Sequence, residues 1–370
     1  MVLVDPRTTE RPRMTLALGI IGAGNIFPAY LRTLKRSRQL RIVGLADAQP
    51  AAAQARAAES GLQAMTIDAL LASDADLILN LTPPLAHHDV GMKALAAGKH
   101  FFTEKPLAAT FAQGKELVAL AKRKKLRIGC APDTFLGAGA QATRALIDAG
   151  TVGTIRHGTA HFMSHGPDHW HPNPAFFYQP GAGPMFDMGP YYVTHLVHHL
   201  GPVASVSGTA HTTHKTRVIP FGDNAGKTIE VDVPTHVISH LTFASGAQIV
   251  LTVSFDVWQH GHTPMELYGD DGSILCHDPN LFGGSVKFAR QKDAWSRLTD
   301  KRPYTTNSRG IGLIDMAQSI EAGRPHRCSE SMALHVLEVM ERSLDAARTG
   351  RPQRITTTCE RPAPLEAKLF

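Results

Sequence analysis

The sequence predicts an α/β protein in two parts: a doubly wound parallel sheet over residues 14–135, and an α+β part with a large open, mostly antiparallel sheet over residues 136–370. Three observations predict it. Short apolar runs alternate with helical patterns from Leu16 onward, the rhythm of parallel strands joined by crossover helices. Near residue 135 the period changes to longer strand-like runs, separated by turn signals such as Ala244-Ser245-Gly246 and Asp270-Asp271-Gly272. The length, 370 residues, exceeds what one compact core usually holds.

In order, Leu16-Ala17-Leu18-Gly19-Ile20-Ile21 reads as a buried strand closed by Gly22-Ala23-Gly24, with a helix following to about Arg36. Leu40 to Ala46 is a second strand ending at Asp47, and the alanine-rich stretch from Ala51 to Ser60 is helical. Strands follow at Leu77–Leu81 and His100–Thr103, helices at Asp89–Ala97 and Phe111–Lys125, and a strand-like run at Leu126–Gly129. In the second part a helix over Ala140–Ala149 precedes strands at Ile155–Met163, Val203–His211, His236–Phe243, Ala247–Val257 and Met265–Tyr268. An amphipathic helix over Ser331–Arg348 closes it.

Composition narrows the function class. Hydrophobic residues make up 43% and charged residues 19%, as in a globular rather than a disordered chain. The net charge of +6 comes without an extended basic block or a recognition motif, so nucleic acid is not an expected partner. No apolar stretch reaches the length of a membrane span. The four cysteines lack CxxC spacing, which argues against a zinc site or a disulfide framework and for a reducing, cytoplasmic setting. Residues 1–13 lack the apolar core of a secretion signal and read as a disordered extension, with Met14 as an alternative start.

Gly22-Ala23-Gly24-Asn25-Ile26-Phe27 follows a strand and opens a helix. Glycine permits the tight turn and lets backbone N–H groups, including those near Asn25 and Ile26, approach a pyrophosphate. Phe27 replaces the usual third glycine, so the helix must pack on the strand in another way. Asp47 follows Gly22 by 25 positions, where an acid accepts from a ribose hydroxyl pair and repels a 2′-phosphate, favouring NAD over NADP. The plainer alternative for Asp47 is a helix cap or turn acid.

Two further stretches carry a family resemblance. Thr82-Pro83-Pro84-Leu85-Ala86-His87 and Ala96-Ala97-Gly98-Lys99-His100-Phe101-Phe102-Thr103-Glu104-Lys105-Pro106 resemble the TP-x-x-x-H and AGKH…EKP runs of the Gfo/Idh/MocA oxidoreductases. The resemblance implies a Rossmann first part, NAD as cofactor, and cofactor contacts at Thr82, Pro83, His87, Glu104 and Lys105. It also implies a role for Lys105 in proton transfer, and a cis Lys105–Pro106 bond. A lysine near a cationic nicotinamide is expected to have a lowered pKa. Without the family, Glu104 and Lys105 could be a surface ion pair.

The run from Gly181 to His195 is similar to the family's GGG-x-x-x-D-x-G-x-H-x-x-D pattern, with Ala182, Tyr191 and Thr194 departing from it. Tyr191 stands in the place of the catalytic histidine. Some similar members carry tyrosine there, which implies that Tyr191 and Lys105 form one acid/base unit. Helical spacing puts Asp187, Tyr191 and His195 on one face, with Gly189 and Pro190 in the first turn. Asp187 and His195 are candidates to hold substrate hydroxyls; the alternatives are an N-cap for Asp187 and a buried, bonded histidine for His195.

His157, His161, His165, His169 and His171 crowd one stretch, but the first three sit on a strand-like run about 13 Å apart in successive pairs, too far for one metal. No metal is expected. Trp170 and His171 resemble the family's Trp-Arg pair beside the nicotinamide, and with Glu104 complete the substrate-lining set. Asp256, Trp258, Asn307 and Arg309 are further candidates to reach the substrate.

The expected activity is hydride transfer at a secondary hydroxyl or ketone carbon of a sugar, cyclitol or glycoside, in a homodimer or homotetramer that covers the open sheet. The resemblance also allows a redox-neutral glycoside-cleaving enzyme that uses NAD transiently, and a non-catalytic NAD-binding regulator.

Overall fold

The computed structural model describes residues 15–299 and 301–370, so the extension read over residues 1–13 and the alternative start at Met14 lie outside the described residues. The first sheet holds β1 (Leu16–Ile21), β2 (Leu40–Ala46), β3 (Leu77–Asn80), β4 (His100–Thr103) and β5 (Ile128–Cys130). Its order is β2-β1-β3-β4-β5 and every pair is parallel. Crossovers are made by α1 (Phe27–Leu34), α2 (Pro50–Ser60), α3 (Ile67–Ala72), α4 (His87–Ala96) and α5 (Phe111–Lys124). β1 and β3 are buried at every position, as a sheet covered on both faces requires. The order reverses between β1 and β3, which opens a crevice at their carboxyl ends.

Helix α6 (Ala138–Asp148) leads into the second half. There follow β6 (Ile155–Met163), α7 (Gly183–Asp187), α8 (Gly189–Leu200), β7 (Val203–His211), the ribbon β8 (Thr216–Val218) and β9 (Thr228–Glu230), β10 (His236–Phe243), β11 (Gln248–Ser254), β12 (Met265–Gly269) and β13 (Gly272–Cys276). The chain ends through β14 (Lys287–Arg290), β15 (Ser296–Arg297), α9 (Ile311–Ala322), α10 (Glu330–Thr349) and β16 (Gln353–Arg354). Nine strands form one sheet in the order β15-β14-β13-β12-β6-β11-β10-β7-β16. Its pairs are antiparallel except β6 with β11. The expected open, mostly antiparallel sheet is present, and the fold is α/β in its first part and mixed in its second.

The last two helices return to the first sheet. Cys130 N–H donates to the Cys328 carbonyl at 3.1 Å, and Phe111 N–H, at the start of α5, donates to Glu341 Oε2 of α10 at 2.8 Å. Gly114 of α5 lies so close to α10 that an added Cβ would stand 2.8 Å from Leu337 Cδ2. Among the described residues no helix is long and apolar enough to cross a membrane.

One strand expectation needs correcting. His157, His161 and His165 were to share a strand face, but β6 stops at Met163. His165 lies past the strand and stacks on Trp258 with ring centroids 3.4 Å apart.

Among the buried histidines of the second half, His195, His198, His199 and His277 lie closest together. Burial holds each neutral, the first three well below the usual imidazole range and His277 at about 4. Their folded pKa values lie below the unfolded value of about 6.5, so the stability they contribute is complete above that pH and is lost as pH falls toward the folded values. His277 alone accounts for a loss on the order of 2–3 kcal/mol between about pH 6.5 and its own pKa. Two carboxyls raised by burial, Asp133 to about 6 and Asp278, act in the opposite direction but are fewer than the histidines. The melting temperature should therefore drop by several degrees between about pH 7 and pH 5. A flat melting profile over that window would contradict this account.

Candidate active site

The site begins where β1 ends. Gly22 has φ +112°, and a Cβ there would lie 2.6 Å from the Leu81 carbonyl carbon, so only glycine fits between β1 and the strand end of β3. Its N–H donates to the Ala46 carbonyl at 2.8 Å. A Cβ on Gly24 would meet nothing within 4 Å, leaving an open approach to the loop backbone. Asn25 is exposed beside it, and Ile26 is the residue before α1. Phe27 is buried at the start of α1 and supplies the helix packing that a third glycine would otherwise allow. Asp47 binds the loop from the end of β2: Oδ2 accepts Ala23 N–H at 2.8 Å and Oδ1 accepts Gln49 N–H at 2.9 Å. Each oxygen keeps a second lone pair for a hydroxyl donor. This combination of open glycine, strand-end acid and helix start fits a dinucleotide.

The wall of the crevice is built by β3 and β4. Thr82 Oγ1 donates to Asn80 Oδ1 at 2.8 Å, and Pro83 is exposed next to it. Past β4, Glu104 N–H donates to the Asn80 carbonyl at 2.9 Å, which fixes the strand end. Glu104 Oε1 accepts from Tyr30 Oη at 2.6 Å and Oε2 accepts Lys105 N–H at 3.0 Å. The Lys105–Pro106 bond is cis. Lys105 Nζ donates to Asp187 Oδ1 at 2.8 Å and to the Asp187 carbonyl at 2.6 Å, and lies 5.1 Å from the centroid of the Tyr191 ring. The two side chains of the ion pair are only 16% and 17% exposed, so water screens the pair little.

The charges in this cluster act on one another. Burial pulls the Lys105 pKa down, but the negative charge of Asp187, with Tyr191 and Glu104, outweighs it and holds the ammonium above its ordinary range. The expected lowering thus does not occur in the protein alone, because Asp187 supplies a contact anion. Burial raises the Tyr191 phenol; Lys105 and Arg309 pull it back in part.

Residues 16–131 match the model of an oxidoreductase family with an NAD-binding Rossmann fold, and residues 140–275 match its Gfo/Idh/MocA C-terminal domain. An inositol 2-dehydrogenase of Ralstonia nicotianae is 30% identical over 84% of this chain and 87% of its own length. The chain belongs to the Gfo/Idh/MocA family. An inositol 2-dehydrogenase of Rhizobium meliloti is 31% identical, but the match spans 38% of this chain and 43% of that protein. Among solved structures, a levoglucosan dehydrogenase in complex with NADH and levoglucosan superposes with a TM-score of 0.80 over 93% of this chain and 100% of its own, at 18% identity, a likeness of fold.

The second-half motif departs from the single helix its spacing predicts. Asp187 was expected on one continuous helix with Tyr191 and His195. Instead α7 ends at Asp187, Met188 intervenes, and α8 starts at Gly189 with Pro190 in its first turn. Pro190 has no N–H to continue the ladder, so the helix restarts there. Asp187 is freed from that ladder and turns to Lys105. His195, expected near substrate, is enclosed in the core: its Nε2 contacts Thr134 Oγ1 at 3.2 Å, and His277 and His199 flank it. Its pKa, pressed far down by burial, suits a core histidine and not a proton donor. Thr194, in the place of the family aspartate, is buried in an apolar pocket with Pro106, Leu107, Met332 and Met340, where a carboxylate would lack partners.

His87, expected at the cofactor, is fully buried, its Nδ1 2.7 Å from the Pro106 carbonyl and its Nε2 2.8 Å from the Thr82 carbonyl. Its side chain ties the two loops together with both ring nitrogens engaged. His171 is half-buried and close enough to Asp187 to feel its charge, while Trp170 is 62% exposed beside it, edge-on to His171 and Phe177. Asp256 is taken up by Arg217, Thr213 and Thr235, while Trp258 stacks on His165 and stays 70% exposed. Asn307 accepts from Arg309, whose Nη2 also donates to Asn280 Oδ1 at 2.9 Å.

Three contributors were not legible in the sequence. Tyr30, which holds Glu104, reads as one more apolar position of α1. Arg56, whose Nε donates to the Ala23 carbonyl at 3.4 Å, reads as a surface arginine of α2. Asp133 accepts the N–H groups of Gly310 and Gly312 at 2.7 and 3.0 Å. Its one signal was its place just after a strand and Pro132.

Proposed function

We propose that this protein is an NAD(H)-dependent dehydrogenase or reductase acting at a secondary hydroxyl or ketone carbon of a sugar, cyclitol or glycoside. The observation that carries this reading is the buried Lys105–Asp187 pair lying against the Tyr191 ring at the mouth of the glycine-loop crevice. NAD, when bound, supplies the hydride acceptor or donor. Gly22, Gly24, Asn25 and Ile26 border its pyrophosphate, Asp47 accepts from its ribose, and Thr82, Pro83, Glu104 and Lys105 line the inner end. Tyr191 exchanges the proton of the substrate hydroxyl, and Lys105 orients that hydroxyl and balances charge on the phenol. Asp187 and His171, with Trp170 at the rim, offer the polar and aromatic contacts that a polyhydroxylated ring prefers.

The known activities of relatives support the substrate class: inositol 2-dehydrogenases and a dTDP-sugar 3-reductase are among them. The outer face of the nine-stranded sheet exposes Ile238 and Val250, which supports a homodimer or homotetramer. The four free, buried cysteines support a cytoplasmic setting.

The test is a screen of sugars, polyols and glycosides with NAD and with NADP, following reduced nicotinamide alongside product. Net NADH formed in step with product is expected; product without net NADH would establish redox-neutral cleavage instead. The Asp47 carboxylate should favour NAD, and Asp47→Ser should erode that preference by roughly tenfold or more. A wild-type preference for NADP would overturn the assignment of Asp47.

A further inference from the structure

Two carboxylates compete for the Lys105 ammonium: Glu104, its neighbour in the chain, and Asp187, 82 residues on. The ammonium takes the second. Its Nζ donates to Asp187 Oδ1 at 2.8 Å and to the Asp187 carbonyl at 2.6 Å, and from there it stands 5.1 Å from the centroid of the Tyr191 ring.

Glu104 is occupied by two other donors. Tyr30 Oη donates to Oε1 at 2.6 Å, and the backbone N–H of Lys105 donates to Oε2 at 3.0 Å. The Glu104 backbone is fixed as well, its N–H donating to the Asn80 carbonyl at 2.9 Å. Tyr30 itself is fully buried on α1, the helix that opens from the glycine loop. A Cβ on Gly310 would stand 3.4 Å from Tyr30 Cδ1 and from Leu34 Cδ2, so the ring is packed against the residue before α9.

A short bond from a hydroxyl to a carboxylate is charge-assisted and directional. Take the hydroxyl away, and one oxygen of a half-buried carboxylate loses its donor. An ammonium carried by the next residue is then free to answer it, since opposite charges attract strongly where water is scarce.

We propose that Tyr30 is a positioning residue of this site: by holding Glu104 Oε1 it keeps the Glu104 carboxylate off the Lys105 ammonium, and so leaves that ammonium on Asp187 beside Tyr191. Tyr30 acts through Glu104 and needs no contact with the substrate. The helix that begins at the glycine loop thereby also sets the charge at the reacting end of the crevice. The inference rests on the reading of Lys105 as the group that orients the substrate hydroxyl, and the experiment separates the two.

Tyr30→Phe keeps the ring and its packing and removes only the hydroxyl. The first readout needs no substrate: amide hydrogen exchange at Lys105, whose N–H is bound to the carboxylate that Tyr30 holds. Exchange there should quicken by about fivefold or more, while the amides of residues 22–26 stay within about twofold of wild type. NADH affinity, followed by fluorescence titration, should stay within about threefold. With the polyol turned over best by wild type, kcat should fall about tenfold or more with KM little changed. In the Glu104→Gln background, where no carboxylate competes for the ammonium, Tyr30→Phe should change kcat by less than about twofold.

Equal losses of kcat in both backgrounds would assign Tyr30 to packing alone and overturn the proposal. Unmoved exchange at Lys105 would overturn it too, as would quickened exchange with kcat undiminished. If wild type turns over no sugar or polyol while exchange at Lys105 responds as expected, the hold on Glu104 stands and the dehydrogenase reading falls.

Discussion

Lys105→Met is expected to lower kcat by about a hundred- to ten-thousandfold while leaving NADH binding within a few-fold of wild type. The reasoning starts from the separation of tasks along the crevice. The glycine loop and Asp47 are built on β1 and β2, whereas Lys105 follows β4 and contacts Asp187 and the Tyr191 ring. Removing the ammonium takes away a charge near the reacting hydroxyl and leaves Asp187 without its contact cation. Tyr191→Phe should cost a similar factor. Because both residues act on one proton transfer, the double variant should be little worse than either single one. Steady-state kinetics and a fluorescence titration with NADH check this, and a kcat within about threefold of wild type in Lys105→Met would refute the assignment.

Gly22→Ala should abolish measurable NADH binding and lower stability by about 2–4 kcal/mol. Two costs combine. The φ of +112° is strained for any residue with a side chain, and the new methyl would sit 2.6 Å from the backbone of Leu81. Backbone cannot step aside as a flexible side chain can, so β1 and β3 must part or the loop must move. Gly24→Ala, where the added methyl meets nothing within 4 Å, separates fold from ligand: it should keep the melting temperature and still weaken NADH. Equal NADH affinity in both variants and wild type would show that the loop does not carry the cofactor.

The physics explains which parts were legible. β6, β7 and β10 run over the residues their patterns predict, because one buried face imposes a period that turn residues end sharply. The parallel pairing of β6 with β11 was not legible, since pairing partners far apart in sequence leave no local mark. Glu104 and Lys105 could be found because a strand end and a motif coincide there. The helix break at Met188 had a signal in Gly189-Pro190, but the regular spacing of Asp187, Tyr191 and His195 concealed it. That spacing also misplaced His195, whose burial depends on neighbours distant in sequence such as Thr134 and His277. The direction of the Lys105 pKa depended on Asp187, a partner 82 residues away in the chain.

The return of α9 and α10 to the first sheet bears on the order in which the protein becomes whole. Helix α5 and strand β5 present surfaces that residues 311–349 cover. During synthesis these surfaces leave the ribosome some two hundred residues before their cover does. A chain released early would carry the complete glycine loop, Asp47 and Lys105, yet keep an apolar flank open to water and to other chains. Quality control would therefore find its target in the truncated product's flank, and the last helix acts as the closing seal on a nucleotide site whose own residues lie almost entirely at the other end of the chain.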